Sequence, residues 1–560
     1  MPIRFATPIK YFMLSLSLVL LFSTSIYAQS DTPHNHLDFV STNPYVFVTF
    51  RNTDEYVDQF NAFFAKLAIN SNGALALPPA EGTAVQSVME IIGMDEAIER
   101  DVTIDDAWLG DQFSFVIQAP HNPEVSYAYS DIFAMIDIAD MDAFFQSVKS
   151  DVEVFQQDDY VLVGDHIIVI NEILIYKDAQ DPAAFIQFLK DQPALADTDS
   201  YQANLERLPA DNYPITGYLG IDNIISLSRS TDFVPPVTLN GDMVFGAFYP
   251  DERTIAVDFV QSELRIDEQE FSTLNTDFAE NIPANVHLAL QGSNADIPLQ
   301  MMVSLLNQTS AFIDGNSFDG YQLFNVGGMF KHMVITTIAG FTGLNVERDI
   351  IQQADGDYAL AFRYVPTNNW VETSFLAHIN DDDAINYIFD SLTEAAQAYG
   401  VEVTIQERHL HAPNILRNLI ELDGRYYPHH PSVELSIIHQ DDVLALGNTP
   451  LVNHAIGRDG MLSQQATYQE AIERHPDDLI GLFYLNTPLL AEDIVKMDAS
   501  MVGLRPYEVR DLQNLFLQAE TIMISTHIQD ELPVSRLTFT LPHDVPILFD
   551  TGATSPNTGE

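Results

Sequence analysis

The chain has 560 residues, no cysteine, and a formal net charge of −56 from 24 basic and 80 acidic side chains. The lack of cysteine excludes disulfides, thiolate metal sites and cysteine nucleophiles. The acidic charge argues against nucleic acid and anionic membrane surfaces as partners. With 46% hydrophobic residues, the chain can bury a large core, and its length allows two or more domains.

Residues 1–28 have the pattern of a secretory signal peptide. Two basic residues, Arg4 and Lys10, precede an apolar run from Tyr11 to Phe22, and Ala28 provides a cleavage site. The alternative is an uncleaved anchor, but the apolar run is shorter than the ~20 residues that a membrane span needs. We therefore predict an extracytoplasmic location, secreted or periplasmic. The mature chain has no predicted membrane span, and loss of the two basic residues takes its formal charge to −58.

Two distant segments have nearly the same sequence. Residues 201–209 read YQANLERLP, and residues 468–476 read YQEAIERHP. The Glu-Arg-Asp sequence at 99–101 recurs at 347–349, and in both places a Gly-Asp pair and a strand-like run follow. Each copy of a repeat must be a foldable unit, so this pattern predicts a tandem duplication with one shared topology. The Glu-Arg pair before each proline is predicted to end a helix.

Strand-like runs come in adjacent pairs, separated by runs with helical spacing. One predicted helix begins at Asn52 and places Phe60 and other aromatic residues on one face. The short connection between the runs 243–248 and 254–260 favours antiparallel pairing. We therefore predict the α+β class, with two tandem homologous repeats that are each an antiparallel β-sheet covered on one side by helices. Trp108 is predicted to be a core or interface anchor, because no aromatic residue beside it builds a stacking surface.

The predicted organisation has six parts. These are a signal peptide (1–28), a mobile amino-terminal segment (29–42), repeat 1 (43–264), a linker (265–281), repeat 2 (282–542) and a disordered tail (543–560).

Repeat 2 is about 19 residues longer than repeat 1 between the matching blocks, and the extra interval contains His409, His411, His429 and His430. In an extended strand His409 and His411 point to the same side, and His429 or His430 could complete a zinc site. The alternative is a solvated loop that bears histidines, because prolines bracket the second pair and the interval has no known ligand signature.

The acidic residues are scattered through both repeats and form clusters such as Asp381–Asp383. A scattered excess of acids is typical of a solvated surface, and the alternative is a cation-binding surface. The chain contains no zinc-protease motif, no serine nucleophile elbow, no phosphate-binding loop and no complete calcium loop. No cofactor is predicted, and calcium at the acidic loops or zinc at the histidines are the alternatives.

The Glu-Arg-Asp blocks, the sequence Trp108-Leu109-Gly110-Asp111 and the Tyr-Gln…Arg-x-Pro blocks, behind a signal peptide, resemble a family of exported bacterial proteins, the domain of unknown function 3352. The resemblance covers about residues 43–541. The second repeat departs from it, with Ala354-Asp355 where the first has Trp108-Leu109. The resemblance implies an exported, duplicated architecture and supplies no activity or catalytic residues.

Three functional hypotheses follow. The leading one is an exported, non-enzymatic binding or scaffold protein with an unidentified extracellular ligand or protein partner. The second is a binding protein that depends on divalent cations. The third is a metal-dependent hydrolase that uses the histidines of repeat 2. No catalytic residue is assigned, and the sequence favours a protein that is not an enzyme.

Overall fold

The fold is described from a computed structural model, which defines residues 36–42, 44–51, 58–60, 62–63, 66, 98–104, 107–118, 131–157, 159–177, 182–209, 213–220, 242–261, 273–293, 357–366, 370–399, 403–406, 408–413, 434–458, 460–496, 509–510, 513, 516–529 and 532–543. The predicted signal peptide (1–28), the Asn52 helix start, nearly all of the predicted tail, and both His429 and His430 lie outside these described residues.

Among the described residues, twenty strands, numbered in chain order, form one antiparallel sheet. The first half contributes β1 (Val46–Arg51), β2 (Leu109–Gln118), β3 (Asp131–Ile138), β4 (Val154–Gln156), β5 (Val161–Val163), β6 (Ile167–Ile170), β7 (Ile173–Tyr176), β8 (Ile215–Gly220), β9 (Asp242–Asp251) and β10 (Thr254–Gln261). The second half contributes β11 (Leu288–Ser293), β12 (Asp357–Val365), β13 (Trp370–His378), β14 (Thr404–Gln406), β15 (His409–Ala412), β16 (Leu435–Gln440), β17 (Val443–Asn448), β18 (Leu479–Asn486), β19 (Thr521–Gln529) and β20 (Leu532–Thr540).

Seven α-helices are described over their whole length: α1 (Met141–Ser147), α2 (Pro182–Asp191), α3 (Asp199–Glu206), α4 (Asp382–Tyr399), α5 (Thr449–Gly457), α6 (Ala466–Ile472) and α7 (Thr487–Ile494). Short 3₁₀ helices are formed by His36–Phe39, Leu195–Asp197, Thr276–Asn281 and Leu462–Gln464. None of the helices in the described part of the chain has the length and hydropathy of a membrane span.

The pairings define the order of the strands across the sheet, which is β4-β5-β6-β7-β3-β2-β1-β8-β9-β10 and then β20-β19-β18-β11-β12-β13-β17-β16-β15-β14. Counted outward from the central pair β10–β20, the first half and the second half have the same order. The duplication itself and the domain boundaries stay predictions.

The predicted fold class, α+β with two helix-covered sheets in tandem, is wrong. The two halves share one continuous sheet, because β10 pairs with β20 over seven residue pairs, from Thr254 opposite Thr540 to Val260 opposite Val534. We call this pairing the seam. Two separate sheets would each have left an edge strand with unpaired backbone groups. Hydrophobic alternation predicts strands but does not show which edge meets which, so the sequence did not reveal the seam.

Helices cover both faces of the sheet, and this also corrects the one-sided prediction. Neighbouring residues of β1 belong to different cores: Phe47 packs with α2 and α3, and Val48 packs on the opposite face with α1. The second half is built in the same way, with α4 on one face and with α5 and α6 on the other. Strands that are buried on both faces have little alternation in polarity, as the fully buried sequence IIVI of β6 shows.

Local sequence explains a hairpin turn that the two halves share. The hairpin β6–β7 turns through Asn171 and Glu172, and the hairpin β16–β17 turns through Asp441 and Asp442. All four residues have φ between 50° and 63°, which is the left-handed conformation that a two-residue hairpin turn requires. Asn and Asp adopt it more readily than most residues.

The predicted burial of Trp108 is confirmed. Its side chain is 0% exposed, its ring meets Phe144 of α1 edge-on at 5.3 Å between centroids, and Nε1 donates to the carbonyl of Thr103 at 3.0 Å. The indole therefore joins α1 to the start of β2.

Two segments that were predicted to be mobile or linking are packed. Residues 36–42 belong to the predicted mobile segment, yet the 3₁₀ helix His36–Phe39 is buried against the sheet and Ser41 forms a β-bridge with Ala194. Thr276–Asn281 falls in the predicted linker, yet Phe278 is buried in the core of the second half.

A buried ion pair lies at the middle of the seam. Asp258 of β10 is opposite Arg536 of β20, and the guanidinium donates two hydrogen bonds to the carboxylate, at 2.6 Å and 2.8 Å. Tyr213 donates a third, at 2.7 Å. The Asp258 side chain is fully buried, and its bidentate partner supplies the charge that burial demands.

Replacing Arg536 by Met leaves the Asp258 carboxylate buried without its cation. We expect Arg536→Met to lower the free energy of unfolding by about 3–5 kcal/mol, as is usual when one partner of a buried pair is removed. The double variant Asp258→Leu/Arg536→Met removes both charges and is expected to recover much of that loss. Urea denaturation provides the measurement.

Arg458→Met is the matched control for this prediction. Arg458 pairs with Asp441 at the surface, where the two side chains are 55% and 61% exposed, and such a pair contributes at most ~1 kcal/mol. Equal losses for Arg536→Met and Arg458→Met would contradict the proposed role of the buried pair.

Candidate functional site

Charged side chains of both halves converge beside the seam, where the β9–β10 turn faces α6. Arg253 of this turn donates to Glu520 at 3.1 Å and to the carbonyl of Leu541 at 2.9 Å, and it also pairs with Glu470. The seam cluster consists of Asp251, Arg253, Glu470, Arg474, Glu520 and His543. The cluster ties the end of the first half to the second half.

Arg474 gives the repeated Glu-Arg sequence of the second half a structural role. Its Nε donates to Asp251 Oδ2 at 2.9 Å, and its Nη2 donates to Glu470 Oε1 at 2.8 Å. Its Nη1 also donates to the carbonyl of Glu470 at 2.9 Å, which closes the end of α6. The corresponding Arg207 of the first half donates to Asn204 within its own helix end. The helix-ending role predicted for these pairs agrees with both contacts.

Two carboxylates of the seam cluster, Glu470 and Asp251, are ionised at neutral pH. Partial burial by itself raises the pKa of Glu470, but hydrogen bonds from Arg474 and His543 and the charge of Arg253 outweigh it and lower that pKa to about 2. The pKa of Asp251 is also below its usual value, because hydrogen bonds from Arg253 and Arg474 outweigh the effect of burial. Neither carboxylate is therefore a proton donor or acceptor near pH 7.

Three groups of the seam cluster have the chemistry of a metal site. The ligand atoms of Glu470, Glu520 and His543 lie within 4.8 Å of one another. However, Arg253 and Arg474 already occupy these carboxylates, and their two positive charges oppose a bound cation. We interpret the cluster as an ion-pair network that joins the two halves.

A neutral histidine lies under the seam. His475 is 6% exposed, with Nδ1 at 2.6 Å from Ser525 Oγ and Nε2 at 3.0 Å from Thr538 Oγ1. Burial and the positive charges of Arg536 and Arg474 lower its pKa to about 3. The ring is therefore uncharged at physiological pH and serves as a hydrogen-bonding part of the core.

A Ser-His-Asp combination is present in the first half. His36 Nδ1 lies 2.7 Å from Ser114 Oγ, and Nε2 lies 2.8 Å from Asp137 Oδ1. A hydrolytic triad needs an accessible serine, whereas Ser114 and His36 are both fully buried and Ser114 also bonds to Thr49 at 2.8 Å. The two imidazole nitrogens are also exchanged relative to a serine protease, where Nε2 faces the serine. The network fastens the 3₁₀ helix His36–Phe39 to the sheet.

No sequence pattern predicts this network, because its members are far apart in the chain. His36 is 78 residues from Ser114 and 101 residues from Asp137, so no spacing motif could have revealed them. The network is also particular to the first half, since the pair that corresponds to Thr49 and Ser114 in the second half is Gln291 opposite Ala359.

The structure describes half of the predicted metal site. His409 and His411 lie on β15 and share one side of the strand, both partly buried, while Leu410 and Ala412 point into the opposite core. His411 Nδ1 lies 3.2 Å from Ser436 Oγ and 3.4 Å from Thr449 Oγ1. The other two histidines, His429 and His430, are outside the described residues, so the four-histidine site stays a prediction.

The neutral state of His475 makes stability depend on pH. Between pH 6.5 and about 3 the unfolded chain binds a proton at this residue and the folded chain does not, so acid destabilises the fold by about 1.4 kcal/mol per pH unit. Gln can replace both hydrogen bonds without titrating. Between pH 7 and pH 5, we expect the free energy of unfolding to fall by about 2 kcal/mol less in His475→Gln than in the wild type. Urea denaturation at the two pH values provides the measurement. His454→Gln on α5 is the control, and an unchanged pH dependence in His475→Gln would count against the assignment.

The predicted zinc site has a direct test. If His409 and His411 bind zinc, protein purified without chelators should contain about one equivalent by elemental analysis. Affinity should fall as the pH drops through ~6.5 and the imidazoles protonate. The double variant His409→Ala/His411→Ala should lose the metal and keep its fold, while His454→Ala should keep the metal. Less than a tenth of an equivalent in the wild type would exclude the site.

Comparison with known proteins supports the sequence resemblance. The model of the family described as "Protein of unknown function (DUF3352)" matches residues 106–531, which is more than half of the chain. No curated protein matches the chain, and no solved structure matches it. A match of this extent shows membership: the chain belongs to the DUF3352 family of proteins of unknown function.

Proposed function

We propose that this protein is an exported, non-enzymatic scaffold that binds other extracytoplasmic molecules. The observation that carries the proposal is the seam, because it turns two halves of the same strand order into one continuous sheet. Twenty strands at a spacing of about 4.8 Å span about 90 Å along the sheet. A protein of this form holds its two ends at a defined separation.

Rigidity supports the scaffold proposal. Each half has a packed core on both faces of its sheet, so bending the sheet would disturb two layers of side chains at once. At the seam, backbone pairing is reinforced by the buried bond between Asp258 and Arg536 and by the seam cluster. Independent movement of the halves would have to break all three.

The burial and the pKa values of the histidines and carboxylates described above also support a non-enzymatic protein. A catalytic group must be accessible and must have a pKa suited to proton transfer or nucleophilic attack. In the described part of the chain, the His36 network is buried, His475 is held neutral by its surroundings, and the seam carboxylates are ion-paired. The hydrolase alternative depends on the histidines of repeat 2, and no contact among the described residues favours it.

Export is supported by the sequence pattern of residues 1–28 and by the strongly acidic, cysteine-free mature chain. Charge also bears on the class of partner. A chain with a formal charge of −58 after cleavage attracts cationic surfaces and repels nucleic acid. Sequencing of the amino terminus of the protein isolated from outside the cytoplasm decides whether cleavage occurs near Ala28.

The scaffold proposal predicts a fixed distance across the seam. Glu206 at the end of α3 and Glu473 after α6 are both exposed and belong to different halves. Because the chain has no cysteine, spin labels on Glu206→Cys/Glu473→Cys attach only at these two positions. We expect a single narrow distance distribution by pulsed electron double resonance, unchanged between 0.15 M and 1 M NaCl because backbone pairing is insensitive to screening.

The matched control is the pair Asp191→Cys/Glu206→Cys, which lies within the first half and reports the width of one rigid unit. A rigid scaffold gives the same width for both pairs. A much broader distribution across the seam would show that the halves move independently and would refute the proposal.

A further inference from the structure

The two outermost strands of the sheet are short and exposed. Within the described residues, β4 pairs only with β5, and β14 pairs only with β15. All three residues of each strand are exposed. The backbone N–H and C=O groups on the outer side of such a strand are a template for a further strand.

These strands also carry exposed apolar side chains. Val154 and Phe155 of β4 are 45% and 49% exposed, and Ile405 of β14 is 40% exposed. The other large hydrophobic side chains with comparable exposure in the described parts of the chain are spread over separate elements: Ile132, Phe145, Tyr387 and Val495. Three of these seven exposed hydrophobic side chains therefore belong to the six residues of β4 and β14.

Shortness is the one protective feature of these two edge strands. Natural proteins also block edge strands with lysine, proline or inward-pointing charge. The sequence of β4 is VFQ and that of β14 is TIQ, so neither contains a charge or a proline. The sequence Val-Glu-Val also recurs beside both edges, at 152–154 and at 401–403. The same edge chemistry is thus present at both ends of the sheet.

The net charge of the protein indicates which kind of chain binds at these edge strands. A second copy of a chain with a formal charge of −56 is repelled, whereas a cationic chain is attracted. Next to β4, Asp151 and Glu153 are exposed, whereas Asp159 is already paired with Lys190. An incoming strand with basic side chains can therefore form ion pairs along the same edge that supplies its backbone partners.

We propose that β4, and equivalently β14, bind an extended basic segment of a partner protein, which adds to the sheet as a further strand; this proposal rests on the scaffold function and names its class of partner. Alternate side chains of an added strand lie on opposite faces of the sheet. Apolar residues of the segment contact Phe155 or Ile405, and at β4 its lysine or arginine residues pair with Asp151 and Glu153. Strand addition of this kind takes its affinity from main-chain hydrogen bonds and its selectivity from the side chains.

The test uses a fluorescent heptapeptide of alternating lysine and valine as the probe, with the mature full-length chain, at 0.15 M NaCl. The control peptide has proline in place of the central valine, so it has the same charge but cannot complete a ladder of backbone hydrogen bonds. We expect the alternating peptide to bind at least tenfold more tightly by fluorescence anisotropy. We also expect it to protect residues 154–156 or 404–406 from hydrogen exchange.

The matched variants separate the edges from the rest of the surface. Val154→Thr/Phe155→Thr/Ile405→Thr keeps β-propensity, removes the exposed apolar groups of both edges, and is expected to weaken binding at least fivefold. Ile132→Thr/Val495→Thr removes apolar groups of similar exposure outside the edges and is expected to leave affinity unchanged. Circular dichroism confirms that both variants are folded.

Three outcomes overturn the proposal. Equal affinity for the two peptides means that charge alone attracts them. Binding that survives the edge variant means that the peptide binds elsewhere. Self-association of the wild type that the edge variant abolishes, measured by sedimentation equilibrium, means that a second copy occupies the edges. None of these outcomes changes the distance distribution across the seam, so failure of this proposal is distinguishable from failure of the scaffold proposal.

Discussion

Backbone pairing between β10 and β20 is the constraint on which the rest of the architecture depends. It joins two sets of ten strands and removes two edges that would otherwise be exposed. It also brings Asp258 opposite Arg536 in a position where the carboxylate is fully buried. A buried carboxylate is tolerated only with a well-placed partner, so this register of the two strands and this ion pair stabilise each other. Slippage of either strand would leave Asp258 without its cation.

The few cations of this acidic chain include several that act between the halves. Arg253 of the first half binds Glu470 and Glu520 of the second half, and Arg474 and Arg536 of the second half bind aspartates of the first. With 80 acidic residues, the two halves repel each other at long range, and short-range ion pairs at the seam oppose this repulsion. Salt screens the long-range repulsion more than it screens the buried pair between Asp258 and Arg536.

Some buried polar groups have the composition of a catalytic site but a structural role. His36, Ser114 and Asp137 have the composition of a triad but attach the amino-terminal 3₁₀ helix to the sheet. Burial decides between the two roles, because a nucleophile that no substrate can reach has no catalytic use. Within the described residues, exposed apolar groups occur at the outer edges of the sheet, where Phe155 lies on β4 and Ile405 on β14. The buried polar groups thus stabilise the sheet, and the exposed apolar groups at its two ends are the proposed binding positions.

The sequence by itself determined which segments form strands and hairpins, and it indicated the family to which the chain belongs. Hydrophobic alternation and turn residues predicted strands and hairpins, Trp108 was correctly predicted to be buried, and the family resemblance was confirmed. Only the tertiary structure decided the seam, the two-sided cover of helices and the His36 network. The physical reason is that a period of two or of 3.6 residues specifies which face of an element is apolar but not which element packs against it. Asp258 and Arg536 are 278 residues apart, so their attraction acts only after folding has brought the two edges together.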